Sequence, residues 1–113
     1  MANTFVNKKV DLTSTSATTL YTVPTATTAV IRSMLVSEDS GNADTITVTL
    51  TDTDDAVFSL FKTKTISANA TSELLSAPLV ATESEVVKVT AATANRLHVV
   101  LSVLEIKPRD VTT

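Results

Sequence analysis

Asp44-Thr45-Ile46-Thr47-Val48-Thr49-Leu50-Thr51 decides the fold class. Every second residue is apolar and the residues between are threonine, a period of two that places Ile46, Val48 and Leu50 on one face of a pleated strand. On a helix the same three residues would scatter around the cylinder. Threonine, about a fifth of the chain, is β-branched, and its stiff χ1 suits a pleat better than a helical turn.

Working outward, the same rule predicts strands over residues 5–12, 18–23, 27–37, 57–64, 71–75, 85–90 and 96–107. The last is the most apolar. Leu97, Val99, Leu101 and Val103 share one face, and His98, Val100, Ser102, Leu104 and Ile106 share the other. A strand apolar on both sides is either covered twice or covered once and used as an interface. Ser40-Gly41-Asn42 reads as a hairpin, and Asp52-Thr53-Asp54-Asp55 as a tight polar connection. Residues 67–70 and 93–95 read as turns. Gly41 is the only glycine, so asparagine and aspartate are expected at most left-handed turn positions. The spacing predicts an all-β fold: a single β-sandwich of about seven to eight mostly antiparallel strands, jelly-roll or immunoglobulin-like. The Cys-Trp-Cys hallmark of true immunoglobulin domains is absent. Residues 5–107 form the expected domain. The polar ends 1–4 and 108–113 are read as an N-terminal arm and a C-terminal tail that clamp neighbours, since such ends fray unless tied down.

Composition narrows the function. With no cysteine there are no disulfides and no thiolate metal sites. Residues 1–4 carry no basic or apolar leader character, so synthesis in a cytoplasm is expected. The apolar run 97–106 is about half a membrane span, so no membrane partner is expected. A net charge of −3 with scattered lysines and arginines argues against a nucleic-acid partner. Hydrophobic residues make up 43% and aromatic ones 4%, leaving a surplus of aliphatic surface for a small β domain. A packed aliphatic core under a Thr/Ser surface is the plain explanation; burial of part of that surface by partners is the one we favour.

Candidate chemical sites are few. His98, the only histidine, lies inside the most apolar strand, which suits a structural or interface role better than catalysis. One glycine cannot build a phosphate-cradling loop. Asp52, Asp54 and Asp55 could attract a hard cation, but the loop lacks the glycine and distal glutamate of an EF-hand and reads as a solvated turn. No tryptophan and one tyrosine leave little to stack on sugar rings, which weakens a receptor-binding or glycosidase reading. We expect no enzyme and no cofactor or metal.

The run Thr19-Leu20-Tyr21-Thr22-Val23-Pro24, followed by Thr28-Ala29-Val30-Ile31-Arg32-Ser33-Met34-Leu35-Val36-Ser37 and the hairpin Glu38-Asp39-Ser40-Gly41-Asn42, resembles a pattern of small virion structural proteins of tailed bacteriophages. The resemblance covers about the first half of the chain. It departs from the pattern at Thr25-Ala26-Thr27, where a turn glycine is expected. It implies a virion component: a capsid decoration (cement) protein on the head shell, or alternatively a neck, tail or fibre-attachment piece. Its partners would be copies of itself, such as a trimer, and the major capsid protein or other virion proteins. Within this reading Tyr21 is expected at a rim with its hydroxyl wet. Arg32 is expected to point from the core toward a neighbour's carboxylate. His98, Val100, Leu104, Ile106, Pro108 and Arg109 complete the expected interface.

Overall fold

The computed structural model of the chain describes residues 2–107, and these form nine strands and no helix. They are β1 (Ala2–Asp11), β2 (Thr18–Thr22), β3 (Thr28–Glu38), β4 (Asp44–Thr51), β5 (Val57–Ile66), β6 (Thr71–Glu73), β7 (Leu79–Ala81), β8 (Val86–Ala91) and β9 (Leu97–Lys107). Among these residues no helix could cross a membrane. The decisive Thr/apolar run is β4 with the bounds expected, and Ile46 and Val48 on it are fully buried.

Two antiparallel sheets pack face to face, one ordered β1-β9-β3-β6 with β7 also on β3, the other β2-β8-β4-β5. The pairing is nested. The first strand meets the last, the second meets β8, β3 meets β6 and β7, and β4 meets β5. The chain thus behaves as one long hairpin folded over into two sheets, which is the jelly-roll arrangement. Of the two architectures expected, this connectivity selects the jelly roll.

β7 is the strand that the sequence does not reveal. It is only three residues long and follows Pro78. Both β6 and β7 run antiparallel to β3, Leu35 facing Glu73 and Val30 facing Val80, with an offset of two residues between the halves. They are one strand interrupted by residues 74–78. In the gap the Glu73 carboxylate stands in for a strand. It accepts from the Met34 N–H at 2.7 Å, the Leu75 N–H at 3.2 Å and the Ser33 hydroxyl. Burial alone would raise the Glu73 pKa; the three donors outweigh it and lower it.

The core lies between the sheets. Ile31, Met34 and Val36 of β3 meet Ile46 and Val48 of β4, Val87 and Val89 of β8, and Leu97, Val99, Leu101 and Val103 of β9. The residues that alternate with the β9 set, His98, Val100, Leu104 and Ile106, are half-buried on the outside. Within the chain β9 is therefore covered on one face only.

One boundary corrects the sequence reading. β1 begins at Ala2, which pairs with Lys107, so residues 2–4 are strand where an arm was expected. The left-handed turn positions are less uniform than expected, although asparagine and aspartate hold three of the five non-glycine ones. These are Asp55, Asn69 and Asn95; Ala26 and Ser84 hold the other two, and Thr63, also at positive φ, lies inside β5. Ala26, at φ 56°, occupies the turn where a glycine was expected, so the backbone there does adopt the conformation glycine favours.

Candidate assembly surface

The outward face of the larger sheet carries a row that no single strand announces. Strand register sets Phe5 of β1 beside Leu104 of β9, Leu104 beside Val30 of β3, and Val30 beside Val80 of β7. Because directly opposed residues in antiparallel strands share a face, these four apolar side chains form one line across the sheet. Phe5 is 74% exposed and Val80 55%, while Leu104 and Val30 are half-buried between their neighbours. Val100 and Leu35, 38% exposed, lie opposite each other and add a second apolar pair. Apolar residues contiguous over four strands differ from the scattered exposed leucines of an ordinary surface.

Of the residues singled out from sequence, Val100, Leu104 and Ile106 lie on this face, with His98 at its end. The His98 Nε2 is 3.1 Å from the Asp11 carboxylate and its Nδ1 is 3.6 Å from that of Asp39, so the ring bridges β1 and the β3–β4 connection. Arg32 is exposed at the bulge between Ile31 and Ser33, and it makes no ion pair among the described residues. Pro108 and Arg109 lie outside the described residues.

Tyr21 is where sequence reasoning fails. It is 3% exposed, in the core, and its hydroxyl donates to the buried Glu105 carboxylate at 2.6 Å. It cannot serve as a wet rim. Burial first, then the hydrogen bond and charge of Glu105, push its phenol pKa well up. The Lys107 Nζ lies 3.7 Å from Glu105 and the Lys8 Nζ 5.9 Å from the Tyr21 ring centre, closing the corner between the sheets. Phe5, Val30 and Val80 belong to the surface but were not picked out from sequence. One signal was available for Phe5: it is the lone apolar member of the polar alternation Asn3, Phe5, Asn7, Lys9, Asp11. Val30 and Val80 carry no such mark.

Two further acidic groups are occupied by nearby backbone donors. Asp52 accepts the Asp54 and Ala56 N–H groups, each at 2.9 Å, closing the β4–β5 hairpin. Among the described residues no group of three His, Cys, Asp or Glu could hold a metal. Glu38, buried at the end of β3, accepts the N–H groups of Ser40, Gly41 and Asn69 at 2.8, 3.1 and 3.0 Å, and the Ser40 hydroxyl. It fastens the β3–β4 turn to the β5–β6 connection. Burial would raise its pKa, but these donors outweigh burial and bring it from 4.5 to about 2. Its folded value is below its unfolded one, so this clasp stabilises fully above about pH 4.5 and fails as pH falls toward 2. Glu38→Gln should therefore make the acid loss of stability shallower across that window, measured by urea unfolding at a series of pH values. An unchanged slope would remove Glu38 from the acid response.

Comparison with known proteins adds to the fold. No family model and no curated protein matches the chain. A subunit of the Bacillus endospore appendages, described as a family of disulfide-linked pili, superposes with a TM-score of 0.53 at 13% identity, covering 95% of this chain and 91% of that one. A chain from the capsid asymmetric unit of cyanophage Pam1 aligns with a TM-score of 0.47 at 20% identity, covering 94% of this chain and 85% of that one. The likeness is one of fold. These 113 residues contain no cysteine, so disulfide linkage of the kind named for the pili is not open to them.

Proposed function

We propose that this chain is a non-enzymatic structural component of a phage virion, and specifically a decoration protein that stabilises the head shell. The observation that carries the assembly part of this reading is the row Phe5–Leu104–Val30–Val80 on the outer face of the larger sheet. Its apolar chemistry fits another protein surface, which would remove it from water at roughly 25 cal/mol per Å². The virion part rests on the resemblance of residues 19–42 to small phage structural proteins. In this reading the chain holds no cofactor. Many symmetric copies make a modest contact sufficient, because avidity multiplies it.

The test is occupancy on purified particles. Quantitative mass spectrometry should find the chain in virions; copies in the hundreds mark the shell, and about six or twelve mark the neck or tail. Leu104→Lys combined with Val80→Lys would bury uncompensated charge at the contact. At about 3 kcal/mol this lowers affinity roughly 100-fold. Both side chains face outward, so the variant should melt within a few degrees of wild type. Full occupancy by this folded variant, or absence of the wild-type chain from particles, overturns the proposal.

A further inference from the structure

The two sheets leave several strand edges open, and they are unequal. β5 ends the smaller sheet, but its register with β4 breaks twice, Thr63 on it turns to φ 53°, and Lys62 and Lys64 are exposed along it. Bulges and lysines of this kind blunt an edge. β2 is five residues long with a break of its own, and β6 and β7 have three residues each. β1 is different. It pairs with β9 over ten residues without a register shift, and among the described residues no strand pairs with its other side. A long, flat, unbulged edge is a template for another strand.

The backbone phase of that edge is readable. Leu12 donates its N–H to Leu97 across the β1–β9 junction. In antiparallel pairing the backbone groups of successive residues point to alternate sides, so even-numbered residues of β1 face β9. Asn3, Phe5, Asn7 and Lys9 then offer their amide and carbonyl groups to the open side. The charges are placed unevenly. Lys8 and Lys9 occupy the second half of β1, with Lys8 turned inward over Tyr21, whereas residues 2–7 carry no charge.

We propose that two copies of this chain pair antiparallel through β1, about a two-fold axis at Phe5. In this register Phe5 opposes Phe5 of the second copy, Asn3 opposes Asn7, Thr4 opposes Val6, and Ala2 opposes Lys8. No lysine faces a lysine, as happens when the axis lies at Lys8 or Lys9, where like charges are destabilising. Phe5 and its copy form an aromatic cross-strand pair. The outer row then runs unbroken through the junction, from Val80, Val30, Leu104 and Phe5 of one copy into the same residues of the other in reverse order. An uncharged stretch that pairs with itself without opposing like charges, centred on Phe5 and continuing the apolar row, selects a second copy as the occupant. This dimer does not depend on membership of a virion, and its test uses the purified chain alone.

Sedimentation equilibrium at tens of micromolar should give twice the 11.9 kDa chain mass. Phe5→Lys should sediment as a monomer and, since Phe5 is largely exposed, melt within a few degrees of wild type. Opposed residues in a hydrogen-bonded antiparallel pair have Cα atoms about 5.5 Å apart, within disulfide reach. Phe5→Cys should therefore yield a covalent dimer under mild oxidation, and Asn7→Cys should not. A monomeric wild type, a Phe5→Lys variant that still dimerises, or cross-linking at Asn7→Cys equal to that at Phe5→Cys would each overturn the proposal.

Discussion

Leu101→Ala should be among the most damaging single changes in the chain, lowering unfolding free energy by about 2–5 kcal/mol. Leu101 is fully buried at the centre of β9, between Lys8 of β1 and Met34 of β3 in register. Truncation removes apolar contacts and leaves a space that the β1 and β3 backbones, held in register by hydrogen bonds to β9, cannot close. A domain of this size has only about 5–15 kcal/mol in total, so the melting temperature should fall by on the order of 10 °C or more. The control is three residues along the same strand. Leu104→Ala, on the outward face, should cost less than half as much. Equal losses in urea unfolding of the two variants would mean that β9 is not covered from one side alone.

Tyr21→Phe should cost about 1.5–3 kcal/mol although it deletes a single oxygen. The lost hydroxyl is the donor to Glu105, and the bond ties β2 in one sheet to β9 in the other. Its removal leaves a buried carboxylate with one partner fewer. In a double-mutant cycle, Glu105→Gln should then cost less in the Tyr21→Phe background than in wild type. The phenol pKa is raised in the fold, so this contribution is complete below about pH 10 and is lost as pH rises through the higher folded value. Tyr21 is the only tyrosine and there is no tryptophan, so phenolate absorbance reads this one residue. Titration of the folded chain at an ordinary phenol value would contradict the buried hydrogen bond.

Both predictions turn on contacts of different sequence range. That Leu101 shares a face with Leu97, Val99 and Val103 is written in the sequence, because alternation is a local property of a pleated strand; that this face is the buried one is read from the structure. Tyr21 lies 84 residues from Glu105, and no spacing rule connects them. An aromatic ring with a hydroxyl suits a wet rim as well as a core, and the choice depends on whether a carboxylate waits opposite. The outer apolar face divides in the same way. Val100, Leu104 and Ile106 could be nominated from the two-faced character of β9. Phe5, Val30 and Val80 could not be joined to them without knowing which strands are neighbours.

The amino-acid sequence alone determined that the chain is all β, where most strands run, which side of β4 turns inward and which residues of β9 share a face, because a period of two depends only on adjacent residues. Tertiary structure decided the nested strand order, the splitting of one strand into β6 and β7, the burial of Tyr21 and the alignment of four apolar side chains across the outer face. Each of these depends on the register between segments far apart in the chain. Register is set by how two sheets close over a shared core, and no single strand carries that information.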